Sequence, residues 1–513
     1  METREIISQQ NIESLHYALP ALLLALTACV ILVQDLTEEP HRRSGASPFL
    51  AMFGLAAAGL CLFFRVPVQT KEIFAGMAVL DPFSWFFEMF FIVVAFLAVL
   101  LSVKSRELQE NRAEYFALVI ILTLGMVMLA SANDLLFVYL ALEAVSIVSY
   151  VLTGWKQHSR RSSEASLKYV LYGAVASGVM LYGLSLLYGM TGTTDFHGVA
   201  TALAARGNPL AATVAALMVF AGFAYKIASV PFHQWAPDVY EGAPTPVTAF
   251  LTIGPKAAGM AALIRFFYVV LSTPGDPAAD GFTWVPAAAP SWPMLLALIS
   301  IATMTVGNLS ALTQDNMKRM LGYSSIAHAG YMMMGLVCLT QVGLRSVLFY
   351  LIVYCAMNLG AFVVVAGVID ETGSEDIKAF RGLSRRHPIA AVSMAVFLFS
   401  LVGMPPLGGF VGKLHLFYGV IQRGGEVGGL NIFYILALAG VLNSVISLYY
   451  YARVAKAMFM EDAPEGSTRT MAIEPVYVGM MAFLALNTVG LGLYWGPFMA
   501  WADRSIYLLA GTN

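Results

Sequence analysis

The chain has 513 residues, of which 59% are hydrophobic and only 12% charged, and its formal net charge is −2. Soluble domains carry about 25% charged residues, so a string of soluble domains is excluded. Long apolar runs recur from end to end, each near the ~20 residues that cross a bilayer, and the chain reads as an all-α polytopic membrane protein.

In chain order, the N-terminal stretch "METREIISQQNIES" is polar and lacks the signal-peptide pattern. Apolar segments follow at 15–34, 47–65, 79–103, 114–132, 134–154, 166–190, 209–230, 244–272, 292–312, 319–341, 344–369, 388–422, 430–457 and 473–498. By length these are about fourteen transmembrane helices. The loops after odd-numbered helices hold "HRRS", "VKSRELQENR", "WKQHSRRSSE", "NMKR", "IKAFRGLSRRH" and "YARVAKAMF…STR", with seventeen of the 29 lysines and arginines. That asymmetry places these loops in the cytoplasm and both termini outside, which requires an even number of helices. The loop at 273–291 is rich in Pro and Ala, has no basic residue, and fits the outer side.

An internal repeat is visible at an offset of about 181 residues: Asp134 meets Asp315, Tyr150 meets Tyr331, Gly154 meets Gly335 and Tyr169 meets Tyr350. The Pro-broken segment around Pro231 has a counterpart at Pro405 and Pro406 with a shifted register. Units of five helices are inverted relative to one another, and inverted repeats with interrupted helices mark transporters. The expected division is helices 1–3 over 1–113, a first repeat over 114–272, a second over 292–457, and helix 14 within 458–513.

The ionisable groups far from any helix end are the candidate site, because each costs at least about 2.5–3.5 kcal/mol to insert. Glu143 lies on a stripe with Ser146 and Tyr150 at i+3 and i+7. It is either a hydrogen-bonded structural carboxyl or an ion or proton site. Lys226 sits five residues before Pro231, Lys256 directly after Pro255, and Lys413 beyond Pro405–Pro406, Gly408 and Gly409. Each is expected beside a weakened helix that water or protein must solvate, and Lys413 is read as the second repeat's match to Lys226. Lys168 is nearer its helix start, and either pairs with Glu143 or snorkels to the surface. His233 and His328 are either relay groups or structural histidines. Lys318 and Arg319 read as cytoplasmic anchors, and Met332–Met334 as packing. Lysines repel cations but can gain and lose protons, so the row suits proton movement better than a metal-ion site. Cys29, Cys61, Cys338 and Cys355 each stand alone in apolar runs, without iron–sulfur or zinc spacing. There is no Gly-rich phosphate loop, so neither a metal nor a cofactor site is expected, and no nucleic-acid partner.

The stretches "VPFHQWAPDVYEGAPTPVTAFL", "NDLLFVYLALEAVSIVSYVLTGW", "EASLKYVLYGAVASGVMLYG", "NMKRMLGYSSIAHAGYM" and "MPPLGGFVGKLHLF" resemble the antiporter-like membrane subunits of proton-pumping NADH–quinone oxidoreductase, respiratory complex I, and within them the N branch. The resemblance covers most of 115–455. It implies a fourteen-helix subunit of the membrane arm in the cell inner membrane, beside sister antiporter-like subunits. It maps Glu143 and Lys226 onto a modulating ion pair with Lys168 nearby, Lys256 onto the central proton carrier, and Lys413 onto the exit-side carrier. NADH, FMN, iron–sulfur clusters and quinone would belong to partner subunits. A secondary cation/proton antiporter subunit of the Mrp type is the alternative, and a purely structural membrane-arm scaffold is a third reading.

Overall fold

Proline and glycine punctuate the helices where the sequence places them. The computed structural model of the chain describes residues 13–37, 45–67, 69–206, 208–275, 281–287, 289, 291–463 and 470–506. The first eight helices are α1 (Leu19–Thr37), α2 (Ala46–Phe63), α3 (Pro82–Ser102), α4 (Arg112–Ser131), α5 (Leu135–Thr153), α6 (Arg160–Thr191), α7 (Phe196–Arg206) and α8 (Pro209–Ile227). Two broken spans lead to the middle of the chain: α9 (Trp235–Gly242) continues α8, and α10 (Thr245–Leu251) is followed by α11 (Gly254–Val270). Then come α12 (Trp292–Ala311), α13 (Met317–Val337), α14 (Gln341–Thr372), the single turn α15 (Leu383–Arg386), α16 (Pro388–Val402), α17 (Gly408–Val427), α18 (Ile432–Met460), α19 (Pro475–Leu493) and α20 (Gly496–Ile506).

Each of the fourteen expected segments coincides with a helix or a broken pair. Twelve spans among the described residues are long and apolar enough to cross a membrane; the expected segments 319–341 and 388–422 are not among those twelve. The first carries Arg319 and His328, and the second is divided at Gly403. Two surface helices, α7 and α20, are too short to cross a bilayer and escape a search for long apolar runs.

Local chemistry sets the ends. Asp81 caps α3, accepting from Ser84 N at 2.7 Å, and Asp134 caps α5, accepting from Leu136 N at 2.8 Å. The helices α6 and α14 are both 32 residues long and begin and end at the same 181-residue offset. Both stop at a left-handed glycine, Gly192 (φ 74°) and Gly373 (φ 67°), a conformation a side chain disfavours. The span Thr245–Val270 is enclosed on all sides, and α13 and α14 are almost as buried. Around them α1, α6, α18 and α19 carry exposed apolar side chains, as a lipid-facing shell requires.

The two ends of the bundle differ. One carries two antiparallel hairpins, β1 (Lys71–Ile73) with β2 (Ala78–Leu80), and β3 (Ser272–Pro274) with β4 (Trp284–Pro286). The other gathers the basic loops into ion pairs, among them Arg106–Glu371, Lys156–Glu107, Arg381–Glu461 and Arg453–Asp315.

Candidate functional site

Three buried lysines stand at three interrupted helices, each in a different backbone setting. Lys226 is in the last turn of α8, which stops at Ile227 with Ala228 left-handed (φ 58°). Its Nζ is buried without a hydrogen-bond partner. The aliphatic stem crosses α11 at a glycine: a Cβ on Gly259 would lie 2.8 Å from Lys226 Cγ. Gly259 is one turn from Lys256 on α11, so this glycine lets the Lys226 stem lie against the Lys256 helix.

Lys256 was expected in mid-helix. It sits instead in the first turn of α11, because Thr252–Ile253 divide this span and Pro255 falls at the helix start. Proline is tolerated there, where the missing N–H has no intrahelical partner to lose. Lys256 Nζ donates to the Ser325 carbonyl at 2.7 Å and to Ser325 Oγ.

Lys413 differs from Lys226 in register, since Lys226 precedes its break and Lys413 follows one on α17. The Lys413 ammonium reaches back across the break and donates to the last carbonyls of α16, Leu401 O at 3.0 Å and Val402 O at 2.9 Å. It also donates to Ser444 Oγ at 3.3 Å and lies 4.3 Å from the Tyr331 ring centroid. Thus the correspondence with Lys226 holds for the position of the charge beside a first half-helix, and fails for the position in sequence.

Helix α13 spans the interval between Lys256 and Lys413. Ser325, His328 and Tyr331 recur at i, i+3 and i+6 and form one face. Ser325 binds Lys256. The His328 Nδ1 is 2.6 Å from Tyr350 Oη and Nε2 is 3.5 Å from Tyr451 Oη, which in turn meets Ser324 Oγ. Tyr331 Oη accepts from Ser444 Oγ at 3.2 Å, and Ser444 is the partner of Lys413. His328 stood out in the sequence; Ser325, Tyr451 and Ser444 did not, and Tyr331 and Tyr350 served there only as repeat markers. The Ser-x-x-His-x-x-Tyr spacing in "SSIAHAGY" was the available signal.

The first-repeat groups are arranged differently from the expectation. Glu143 is half-buried on α5, its Oε1 has no partner, and it makes no ion pair with Lys226. It lies on the same face as Leu136, Leu140 and Ile147, which are exposed. Lys168 neither pairs with Glu143 nor snorkels freely: its Nζ is 2.7 Å from Asp238 on α9 and 2.6 Å from Glu164. Asp238 also binds Arg319 at 2.5 Å, and Arg319 binds Glu241 at 3.0 Å. His233 lies in the break before α9, its Nδ1 buried, and no hydrogen bond joins it to the lysines.

Lys318 is not an exposed anchor. An anchor would reach water, yet its side chain is 0% exposed and donates to Glu375 at 3.0 Å and to the carbonyls of Glu241 and Ala243. Nearby Glu107 accepts from Lys156 at 2.5 Å and from the Thr245 backbone N at 2.6 Å. Burial alone would raise the Glu107 pKa, but Lys318 and Lys156 hold the carboxyl down at about 2. Together these pairs tie the α9–α10 junction to α13 and to the loops before α4 and α6.

The family described as NADH:quinone oxidoreductase/Mrp antiporter, TM, matches residues 132–447. NADH-quinone oxidoreductase subunit N of Anaeromyxobacter sp. (strain Fw109-5) is 44% identical over the full length of both chains. The chain belongs to the subunit N family of NADH–quinone oxidoreductase. A chain of respiratory complex I from Thermus thermophilus is 32% identical and superposes with a TM-score of 0.76, covering 94% of this chain and 98% of that one. A chain of the Mrp complex from Dietzia sp. DQ12-45-1b, 20% identical over 98% of each chain with a TM-score of 0.80, shares the fold. Membership of this family makes the chain a multi-pass membrane subunit of an oxidoreductase complex, assembled with other membrane subunits.

Proposed function

We propose that the chain translocates protons in the membrane arm of complex I, carrying no redox centre of its own. The observation that supports this best is the polar face of α13, which runs from Lys256 to Lys413 through Ser325, His328 and Tyr331. Each of these groups can accept one proton and release another, so a proton leaving Lys256 can reach Lys413 without a net change in the groups between. Side chains one turn apart are separated by about 5–6 Å between Cβ atoms, so water completes the steps. Lys226, whose stem packs against α11, modulates Lys256 through charge. Two like charges about 6–10 Å apart in a protein interior repel by a few kcal/mol. Glu143 biases Lys226 from α5.

In this reading helices 4–8 and 9–13 form the two inverted units. The basic loops face the cytoplasm, the hairpins and both termini face outward, and the membrane is the cell inner membrane. NADH, FMN, iron–sulfur clusters and quinone are bound by partner subunits.

The test is Lys256→Arg in the assembled complex. Guanidinium does not deprotonate in proteins, so proton uptake by vesicles and NADH–quinone turnover should both fall, normalised to assembled complex. Wild-type pumping by Lys256→Arg would make the lysine a fixed charge and overturn the proposal.

A further inference from the structure

A cavity of about 690 Å³ opens among α1, α2 and α3 at the hairpin end of the molecule, away from the lysine row. That volume is in the range of small-molecule sites, about 300–1,000 Å³. Its floor is acidic. Asp81, the N-cap of α3, and Ser84 and Glu88 within it line the cavity from one face, at i, i+3 and i+7. Asp81 is already neutralised: Arg265 donates to both of its carboxylate oxygens, at 2.8 and 2.9 Å, and to the Ala130 carbonyl at 3.2 Å. Glu88 is not. Glu88 is 4% exposed and lines the cavity, and among the described residues no hydrogen bond or ion pair reaches its carboxyl. A buried carboxyl left without a partner in a protein interior is costly, and a cavity at its side gives a partner room to enter.

The rim carries the opposite charge. Arg65 and Lys71 line the same cavity. Arg65 Nη1 donates to the His16 carbonyl at 2.6 Å, which uses one of its five N–H donors. Lys71 Nζ is 3.9 Å from the centroid of Tyr17 and 3.8 Å from Glu13 Oε2 at the exposed edge, and Lys71 is fixed by its pairing with Leu80, the residue before Asp81. From Asp81 to Glu88 the helix rises about 10 Å, so the cationic rim and the acidic floor lie at different depths of one cavity. A simple cation would be repelled by Arg65 and Lys71, and a simple anion would leave Glu88 without a partner. A zwitterion satisfies both.

We propose that this cavity binds an aminophosphate headgroup, its primary ammonium donating to Glu88 and its phosphodiester accepting from Arg65 and Lys71. The setting favours the lipid form of that chemistry. The cavity lies at the end of membrane-spanning helices and is bordered by Trp85 and Tyr17, residue types that gather at headgroup level. It also favours a primary over a quaternary ammonium. A carboxylate can accept N–H bonds from the first and none from the second, and the Tyr17 face, which could hold a methylated cation, is already covered by Lys71. This site is independent of the proton-translocation reading.

The experiment reconstitutes the intact, delipidated complex into nanodiscs of equal phosphatidylethanolamine and phosphatidylcholine. It then re-extracts the complex mildly and counts retained lipid per complex by mass spectrometry. The expected result is preferential retention of phosphatidylethanolamine, with one molecule fewer per complex in Glu88→Gln and in Lys71→Gln. Equal retention of the two lipids by the wild type overturns the proposal, and this comparison needs no variant to assemble. An unchanged count in both variants also overturns it. Adding soluble phosphoethanolamine distinguishes the sources: displacement of the retained lipid shows that the headgroup alone is recognised, and its persistence shows that the acyl chains contribute.

Discussion

The contact between Lys226 and Gly259 can be broken without touching a charge. In Gly259→Ala the new Cβ would lie 2.8 Å from Lys226 Cγ, 3.1 Å from Lys226 Cβ and 3.1 Å from Ile227 Cγ2. None of these atoms is the far end of a flexible side chain. Cβ and Cγ are the root of the lysine stem, and Ile227 is fully buried. Overpacking of this kind costs about 1–3 kcal/mol. The cheapest relief is for the Lys226 stem to turn away from α11, because its ammonium holds no hydrogen bond that would resist the movement. Gly259→Ala is therefore expected to leave the complex assembled and to lower both proton uptake and NADH–quinone turnover in vesicles. A loss of about 1.4 kcal/mol in coupling would appear as a tenfold fall in rate. The control is Gly178→Ala in α6, where an added Cβ meets nothing within 4 Å. That change adds helix propensity, up to about 1 kcal/mol, and should leave both rates intact. If the two variants pump alike, the Lys226–Gly259 contact has no part in transport and the modulating role given to Lys226 is wrong.

Removing the Glu143 carboxylate in Glu143→Ala should weaken pumping more than Glu143→Asp, which keeps the charge; equal, wild-type proton uptake in both would leave Glu143 a structural residue. Lys168→Gln and Asp238→Asn each remove one member of a partly exposed cluster, so each should cost no more than about 1 kcal/mol of stability. The double variant should cost less than the sum, because neighbours in one network are not additive; strict additivity in thermal unfolding would count against the bridge. Glu107→Gln leaves Lys156 and the Thr245 N–H without their carboxylate and should cost of the order of 3 kcal/mol. Because the Glu107 pKa is held down at about 2, its stabilisation is complete above the unfolded carboxylate range and is lost as pH falls toward that value. The difference in melting temperature between Glu107→Gln and wild type should therefore be flat from pH about 5 upward, and a slope at neutral pH would show that another group carries the effect.

Charges in apolar runs were legible because the bilayer penalises them, and on that ground Glu143, Lys226, Lys256 and Lys413 stood out without any structure. The breaks at Pro231 and Pro405–Pro406 were legible too. A proline ring clashes with the carbonyl four residues earlier, and α8 stops at Ile227 and α16 at Val402, as that clash demands. Pro255 was misplaced because an internal proline and an N-terminal one look alike inside a long apolar run. The residues "GPK" were a helix start, and Lys256 a first-turn residue. Partners across helices were not legible. Asp238 meets Lys168 over a separation of 70 residues and Arg319 over 81, and one-helix periodicity carries no information about such pairs. The hydroxyl groups of Tyr350, Tyr451 and Ser444 were hidden for a related reason. Tyrosine and serine are ordinary in membrane helices, and only their convergence on His328 and Lys413 distinguishes them.

The backbone settings of the three lysines bear on how the proposed row works. A helix C-terminus presents carbonyls and the negative end of the macrodipole, whereas an N-terminus presents N–H groups and the positive end. Lys226 lies in the last turn of α8, and Lys413, although it belongs to α17, places its ammonium on the terminal carbonyls of α16. Lys256 lies in the first turn of α11 and finds its acceptors on another helix, at Ser325. Lys413 thus takes its acceptors from its own broken span, Lys226 has the negative end of its helix but no hydrogen bond, and the central lysine depends on α13 to solvate it. The central carrier holds its proton only as long as its neighbours and its acceptor on α13 allow. On the proposed reading this places control of the transfer at the contact between Lys256 and Ser325. The same face of α13 that accepts from Lys256 leads on to His328 and Tyr331, so the group that stabilises the proton on Lys256 is also the first step away from it.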